Sequence, residues 1–283
     1  MKLKEFPGSI WRAWQLNRIS VQSLHNKSAP GLPIIVSFTS IPSRFHVIHL
    51  TVRSILAGTH KPEKIVLWLN ELLESSVPES LHKLVGEKFE IRYVEGNLPH
   101  RKLLPSLQMF PDKILVTCDD DMMYDSSWLN FLYQDHLNHP LDIIANECRG
   151  INYDENGNLR PYYFWYKENS KNVSYDSLLP LGFGGVLYPQ KCLHDDVFKA
   201  DLYLKLAPKA DDLWFKAMAL LRGTAARRAS QKVVKPIPIF NSQSVSLKAT
   251  NVKQDGNRMQ WEAIANHYKL SAFTPLQPPK NAR

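Results

Sequence analysis

The chain has 283 residues, 44% of them hydrophobic, which is enough to bury a core in one large domain. Charged residues make up 22%, which excludes global disorder. Three widely spaced cysteines exclude both a CxxC zinc site and a disulfide scaffold. The net charge of +8 favours anionic partners, without choosing among nucleotide phosphates, nucleic acid and an acidic membrane surface.

Residues 1–30 are predicted to form an N-terminal arm without the apolar stretch of a signal peptide. Four apolar residues have the spacing of one helix face: Ile10, Trp14, Val21 and Leu24. We expect this helix to pack on the main domain, although Arg12 and Arg18 leave room for contact with a membrane surface. No apolar run approaches the roughly 18 residues of a membrane span. We therefore expect a cytoplasmic protein, with contact at the periphery of the inner membrane left open.

From Leu32 onward, short apolar runs alternate with segments of helical spacing. The runs predict strands at residues 33–38, 64–69, 89–94 and 113–117. Helices are predicted at residues 47–56, 80–85, 103–109 and 126–137, the last opened by a serine cap. Because the strands are apolar throughout, the pattern is typical of a parallel sheet covered on both faces. Ligands bind beyond the carboxyl ends of such strands.

The second half of the sequence is less regular. We predict a turn at residues 152–158 and helices at 211–221 and 258–268, with a mobile tail after residue 273. Strands are predicted at residues 141–145, 186–188 and 232–239, the last at a sheet edge because it contains two prolines. The predicted divisions are an arm at 1–30, a main domain at 31–240 with halves at 31–125 and 126–240, and a C-terminal helix and tail at 241–283.

Three adjacent acids, Asp119, Asp120 and Asp121, directly follow the fourth predicted strand. Carboxylates this close repel one another, and burial at a strand end increases the repulsion. A divalent cation with oxygen ligands would relieve it. Residues two apart point the same way on an extended backbone, so Asp119 and Asp121 can face one cation while Asp120 faces elsewhere. The alternative is a solvated acidic turn that caps the next helix.

A second acidic pair, Asp211 and Asp212, opens a predicted helix. Acids in a first helical turn are ordinary partners of the helix dipole. The functional alternative is that one of them is a general base, which would take the proton of an attacking hydroxyl. The sequence leaves open which of the two that is.

Basic residues in loops near the predicted strand ends are candidates for contact with a diphosphate. They are Arg44, His100, Arg101 and Lys102, of which Arg44 and Lys102 follow the first and third strands. A solvated surface charge is the alternative for each of them.

Small residues at other predicted strand ends are candidates for contact with a ligand. Thr39 and Ser40 can bind a nucleotide or simply end a strand. Gly184 and Gly185 belong to a glycine-rich motif at residues 182–185, which allows close backbone approach to a ligand or forms a structural turn. Aromatic residues at 162–166 and Trp214 can form a sugar platform or pack in the core.

Several segments, in chain order, carry a family resemblance. They are residues 34–44 (IIVSFTSIPSR), 50–56, 61–69, 116–121 (VTCDDD), 184–189 (GGVLYP) and 210–218 (ADDLWFKAM). Together they resemble bacterial GT-A-type glycosyltransferases of surface-polysaccharide loci, over roughly residues 32–240. The resemblance implies an α/β GT-A fold, in which a Rossmann-like, mostly parallel sheet flanked by helices is merged with an acceptor-binding half.

The resemblance also implies roles for individual residues. Asp119 and Asp121 would hold Mn²⁺ or Mg²⁺, and Asp211 or Asp212 would be the base of an inverting displacement. The residues predicted to bind the nucleotide sugar are Thr39, Ser40, Arg44, Lys102, Asp120, Gly184 and Gly185.

The predicted function is therefore transfer of a sugar from a nucleotide-diphosphate sugar to a hydroxyl of a bacterial surface glycan or glycolipid, such as lipopolysaccharide or capsule. No nucleic-acid partner is expected. Two alternatives stay open at this point. One is a metal-dependent nucleotidyl- or phosphoryl-transferase that uses the same acids. The other is a non-catalytic protein that binds glycans or nucleic acid through its positive charge, with steeply salt-dependent binding in the case of nucleic acid.

Overall fold

The computed structural model describes residues 5–26, 29–171, 174–231, 234–242 and 249–271. The helices of this part of the chain are α1 Phe6–Arg18, α2 Val21–Leu24, α3 His49–Leu56, α4 Glu79–His82, α5 Leu104–Met109, α6 Trp128–Asn138, α7 Ala200–Leu206, α8 Asp211–Arg222 and α9 Gly256–Tyr268. Its strands are β1 Gly31–Thr39, β2 Lys61–Asn70, β3 Phe89–Val94, β4 Ile114–Thr117, β5 Met122–Met123, β6 Ile143–Ala145, β7 Cys148–Gly150, β8 Tyr166–Glu168, β9 Leu178–Pro180, β10 Val186–Tyr188, β11 Ala226–Arg228 and β12 Ile237–Pro238.

The main sheet has seven strands in the order β11-β6-β10-β4-β1-β2-β3. Strand β10 is antiparallel to β4 and β6, whereas the other neighbouring pairs in this sheet are parallel. The predicted α/β fold, with a mostly parallel sheet flanked by helices, is confirmed. Because β10 runs the opposite way, its amino end lies at the same edge as the carboxyl ends of β1, β4 and β6.

Both faces of the sheet are covered, which explains the unbroken apolar runs in the sequence. Alternate residues of β1 enter two different hydrophobic cores. Ile35 packs with Val66 and Leu115 on one side. Ile34, Val36 and Phe38 pack on the other side with residues of α3 and α6, namely Val52, Ile55, Trp128 and Leu132. This double burial makes the central strands a rigid support for the polar residues that follow them.

Several predicted elements differ from the structure. Helix α6 begins at Trp128, and the Ser127 hydroxyl donates a hydrogen bond of 2.6 Å to Asp125 Oδ1 instead of capping the helix. The strand predicted at residues 232–239 is reduced to β12, which pairs with β5 directly after the three acids; residues 232 and 233 lie outside the described residues. The predicted tail after residue 273 also lies outside the described residues.

Helix α1 packs on the main domain as expected, but through a different face from the predicted one. Leu16 is buried, and Arg53 Nε donates a hydrogen bond of 2.9 Å to its carbonyl. The predicted apolar face is wrong because α1 ends at Arg18 and the chain turns before α2. Val21 and Leu24 therefore belong to a separate helix. Ile10 and Trp14 do share a face of α1, but that face is exposed, as is Val21, and only Leu24 of the predicted set is buried. Within the described residues, no helix combines the length and apolarity needed to cross a membrane.

Candidate active site

The three adjacent acids lie where predicted, just beyond the carboxyl end of β4. Thr51 anchors their backbone from α3, because its hydroxyl lies 2.9 Å from the carbonyl oxygens of Asp120 and Met122. Asp120 and Asp121 are buried, whereas the Asp119 side chain is 36% exposed. Asp119 is therefore the member of the cluster that a ligand can reach most directly.

Arg44 holds the side of the cluster formed by Asp120 and Asp121. It lies in the short 3-10 turn Pro42–Arg44 that follows β1. Its guanidinium forms an ion pair with Asp120, which also accepts a hydrogen bond from the Ser40 hydroxyl, and its Nη2 lies 3.1 Å from Asp121 Oδ2. Burial lowers the pKa of Arg44, but Asp120 and Asp121 more than offset this and hold it above the ordinary value.

Lys102 contacts the other side of the acidic cluster, at Asp119. Its buried ammonium lies 2.7 Å from Asp211 Oδ2, 3.1 Å from Asp212 Oδ1 and 3.6 Å from Asp119 Oδ1. The Lys102 carbonyl accepts a 2.6 Å hydrogen bond from Ser37 of β1, which fixes the loop after β3 against the sheet. Burial opposes the charged ammonium, yet the three carboxylates raise the Lys102 pKa well above its usual range. The fold therefore brings the two predicted acidic groups together around one lysine.

Gly182 completes this arrangement, although it was absent from the predicted site residues. Its N–H donates a 3.0 Å hydrogen bond to Asp212 Oδ2. A Cβ at this position would lie only 2.3 Å from Lys102 Nζ, so a side chain here would displace the lysine. The glycine-rich motif was a visible signal, but the antiparallel direction of β10, which brings it to the acids, was not predicted.

Gly184 and Gly185, which were predicted to bind the nucleotide sugar, lie in close contact with neighbouring side chains. The Gly184 carbonyl accepts hydrogen bonds from Trp128 Nε1 at 2.9 Å and Asn146 Nδ2 at 3.0 Å. Gly185 has a φ of +93°, and a Cβ there would lie 2.5 Å from Trp128 Nε1. The structural need for glycine is thus clear, while the nucleotide contact stays a prediction.

Other predicted candidates have local partners. His100 is buried and stacks on Tyr203 with 4.6 Å between ring centroids; burial lowers its pKa to about 3, so it is neutral and poorly suited to bind a diphosphate. Arg101 donates to the Gly96 carbonyl at 2.5 Å. The Thr39 hydroxyl donates to the Trp68 carbonyl at 2.8 Å. Trp214 lies in the core, which argues against its use as a sugar platform.

Carboxylates outnumber cationic side chains in the site as a whole. Five carboxylates, from Asp119, Asp120, Asp121, Asp211 and Asp212, face the two cationic side chains of Arg44 and Lys102. Although part of the Asp119 side chain reaches solvent, its desolvation among the surrounding protein atoms raises its pKa to about 7 against the opposing effect of Lys102, and Asp121 and Asp212 add to the rise. The aspartates are thus only partly compensated by protein cations, and the arrangement favours a further positive charge.

The residues present fit a divalent metal ion in their chemistry. Carboxylate oxygens are the donors that Mg²⁺ and Mn²⁺ prefer, and the side chain of Asp119 is accessible. Within the described ranges, however, no three acidic, histidine or cysteine side chains already surround one point. Asp121 Oδ2 lies on Arg44. A metal would therefore need oxygen ligands from its substrate in addition to those of the protein.

Comparison with known proteins shows only distant likeness. No protein-family model and no curated protein matches the sequence. In fold, the chain is similar to residues 1–349 of S. aureus TarS, with a TM-score of 0.44 and 15% identity over 74% of this chain and 59% of that one. It is also similar to 4-diphosphocytidyl-2C-methyl-D-erythritolsynthase from Anaerococcus prevotii DSM 20548, with a TM-score of 0.43 and 14% identity over 76% of this chain and 95% of that one. Likenesses this distant assign no activity to the chain.

Proposed function

We propose that the protein is a metal-dependent glycosyltransferase that uses a nucleotide-diphosphate sugar. The observation that carries the proposal is the gathering of Asp119, Asp121 and Asp212 at the carboxyl edge of the sheet, with more carboxylates than cations. Binding at this edge is general for open α/β sheets. The excess negative charge supports a divalent cation, and the cation would in turn bind the diphosphate of a donor.

Asp119 and Asp121 would hold Mn²⁺ or Mg²⁺, which when bound would stabilise the negative charge on the departing nucleoside diphosphate. Arg44 lies next to both Asp120 and Asp121, and its guanidinium suits a phosphate group. Asp120 would act through Arg44, because its carboxylate is already bound by that arginine and by Ser40. Ser40 and Asp120 are thus positioning residues in this proposal.

Asp212 is the better candidate for the general base. Its side chain is 26% exposed, against 10% for Asp211. Burial raises the pKa of Asp212, Lys102 lowers it, and Asp211 raises it further; the net rise suits a proton acceptor. Lys102 and the Gly182 N–H each hold one of its oxygens, which orients the carboxylate.

In the proposed reaction, the acceptor hydroxyl oxygen forms a bond to the anomeric carbon as the bond from that carbon to the diphosphate breaks. The hydroxyl proton passes to Asp212, and the nucleoside diphosphate leaves with the electron pair. A direct displacement of this kind inverts the anomeric configuration. The proposed acceptor is a bacterial surface glycan or glycolipid, and Thr39, Gly184 and Gly185 would line the donor side.

The test is titration of the protein with UDP and GDP, with and without Mn²⁺. We expect nucleotide binding that depends on Mn²⁺ and is lost in Asp121→Asn. Asp112→Asn is the matched control, since Asp112 is exposed at the opposite end of β4. Nucleotide binding of equal affinity with and without Mn²⁺ would refute the metal assignment. Product analysis with a panel of nucleotide sugars should give a nucleoside diphosphate, and release of pyrophosphate would instead indicate nucleotidyl transfer.

A further inference from the structure

Helix α1 presents an apolar face to solvent. Ile10, Trp11 and Trp14 are 49%, 58% and 47% exposed, respectively. The opposite face holds Ser9 and Leu16, which are fully buried against the main domain. A surface helix normally hides its apolar face and exposes its polar one. Here apolar side chains lie on both sides of the helix, and those on the outward face give it the composition of a contact surface.

The tryptophans of the chain divide sharply between core and surface. Five of the seven are buried: Trp68, Trp128, Trp165, Trp214 and Trp261. The two exposed ones, Trp11 and Trp14, lie on the same helix face and stack with 4.9 Å between ring centroids. Among the tryptophans, exposure is thus confined to α1.

Positive charge accompanies this face. The Arg18 guanidinium lies 4.6 Å from the centroid of the Trp14 ring. In sequence, residues 1–30 contain five basic residues and one acidic residue, so their net charge of +4 is half of the total of +8. Tryptophan and arginine together on one amphipathic helix fit the interface of a membrane that contains anionic lipid, where rings enter the headgroup region and cations meet phosphate.

Helix α1 is firmly joined to the domain that carries the acids. Ser9 Oγ donates a 2.7 Å hydrogen bond to the Pro238 carbonyl and accepts one of 3.0 Å from the Phe240 N–H. The ring of Phe6 packs edge-on against Phe240, with centroids 4.2 Å apart. The adjacent Ile239 N–H donates a 2.8 Å hydrogen bond to the Asp121 carbonyl. Binding of α1 to a surface would therefore bring the whole domain to that surface.

We propose that the face of α1 formed by Ile10, Trp11, Trp14 and Arg18 docks the protein on the surface of a bilayer that contains anionic lipid. The rings of Trp11 and Trp14 enter the headgroup region, and Arg18 binds the anionic headgroups. This inference stands on the N-terminal helix alone and is independent of the proposed reaction.

The experiment is flotation of the full chain with phosphatidylcholine vesicles, with and without phosphatidylglycerol. We expect binding only when phosphatidylglycerol is present, and weaker binding at high salt. The double variant Trp11→Ala, Trp14→Ala should lower the partition coefficient by at least about tenfold, because two large rings no longer leave water. Arg18→Gln should lower it by about fivefold. Leu141→Ala, at an 81% exposed leucine on the opposite edge of the sheet, should leave it unchanged.

Metal-dependent nucleotide binding should be the same in the double tryptophan variant and the wild type, which separates failure of this inference from failure of the proposed function. Two results would overturn the docking surface. One is absence of wild-type binding to the anionic vesicles. The other is concentration-dependent self-association that the tryptophan substitutions abolish, since that would make the face a protein interface.

Discussion

Two buried lysines near Asp212 differ in the partners of their ammonium groups. Lys102 is 6% exposed and contacts three carboxylates. Lys216 follows Asp212 by one turn of α8, is 2% exposed, and its Nζ has no hydrogen-bond partner within the described ranges of the chain. Asp212 and Lys216 border the same small cavity, with Tyr188 and Phe215.

Burial acts in the same direction on both lysines, since it disfavours the charged ammonium. The pKa of Lys102 is nevertheless raised well above its usual range, because Asp211 and Asp212 outweigh the loss of solvation. Burial lowers the pKa of Lys216 to about 8, although Asp176 and Cys148 act in the opposite direction. The comparison teaches that partners, rather than depth, decide whether a buried charge stabilises this fold.

The largest effect is expected from Lys102→Met, which leaves Asp119, Asp211 and Asp212 without their shared cation. Removing one partner from a buried ionic group costs about 3–5 kcal/mol in unfolding free energy. Urea unfolding at neutral pH measures this loss. In Lys113→Met, which removes an exposed pair with Glu63 at 2.7 Å, the change should stay below about 1 kcal/mol.

The pH dependence provides a check that does not need a fully stable variant. The deficit of Lys102→Met should shrink as the pH falls, because protonated aspartates no longer require a cation. An equal deficit at acidic and neutral pH would mean that lost packing, and not lost charge, explains the change.

Asp212→Asn is expected to have the next largest effect, on turnover rather than on folding. Loss of a general base lowers kcat by about 10²–10⁴-fold. Nucleotide binding with Mn²⁺ should change little, because Asp212 lies on the acceptor side in the proposed reaction. Steady-state kinetics with the identified donor measures kcat, and titration with UDP or GDP in the presence of Mn²⁺ measures the binding.

Asp211→Asn separates the two neighbouring acids. Asp211 is more deeply buried and closer to Lys102, at 2.7 Å, so its replacement should reduce stability more than that of Asp212. If Asp211→Asn abolished turnover while Asp212→Asn retained it, the roles assigned to them would be reversed.

The sequence predicted the central sheet well because burial on both faces leaves a continuous apolar run. Strands β3 and β10 have the predicted bounds, Phe89–Val94 and Val186–Tyr188. It did not predict the small sheet of β8, β7 and β9, whose strands of three residues are too short to show a period. Nor did it predict the direction of β10, since strand direction is set by long-range pairing and leaves no local pattern.

The sequence predicted both the acids and the cations of the candidate site, but not the ion pairs between them. Asp119 was found because polar residues at the carboxyl end of a buried strand mark a ligand-binding edge. Lys102 and Asp212 are 110 positions apart, so no spacing rule could pair them. Lys102 was therefore assigned to a diphosphate, whereas the structure surrounds it with carboxylates; contact with a nucleotide stays a prediction.

Lys216→Met tests the other half of the comparison and should stabilise the protein. The difference between the ordinary lysine pKa of 10.5 and about 8 corresponds to about 3 kcal/mol, which is the cost of burying the ammonium. Methionine has similar length and needs no solvation, so the variant should recover much of that energy at pH 7. Chemical denaturation of variant and wild type measures the gain.

The sign of the pH dependence makes this prediction specific. Between about pH 8 and 10.5, the unfolded chain keeps the Lys216 proton and the folded chain does not, so this group makes the wild type more stable as pH rises. Below pH 8 its full cost is present, and above pH 10.5 it is absent. The advantage of Lys216→Met should therefore be largest below pH 8 and vanish towards pH 10.5. A constant advantage would show that improved packing causes the gain, and a loss of stability would show that Lys216 has an ionic partner after all.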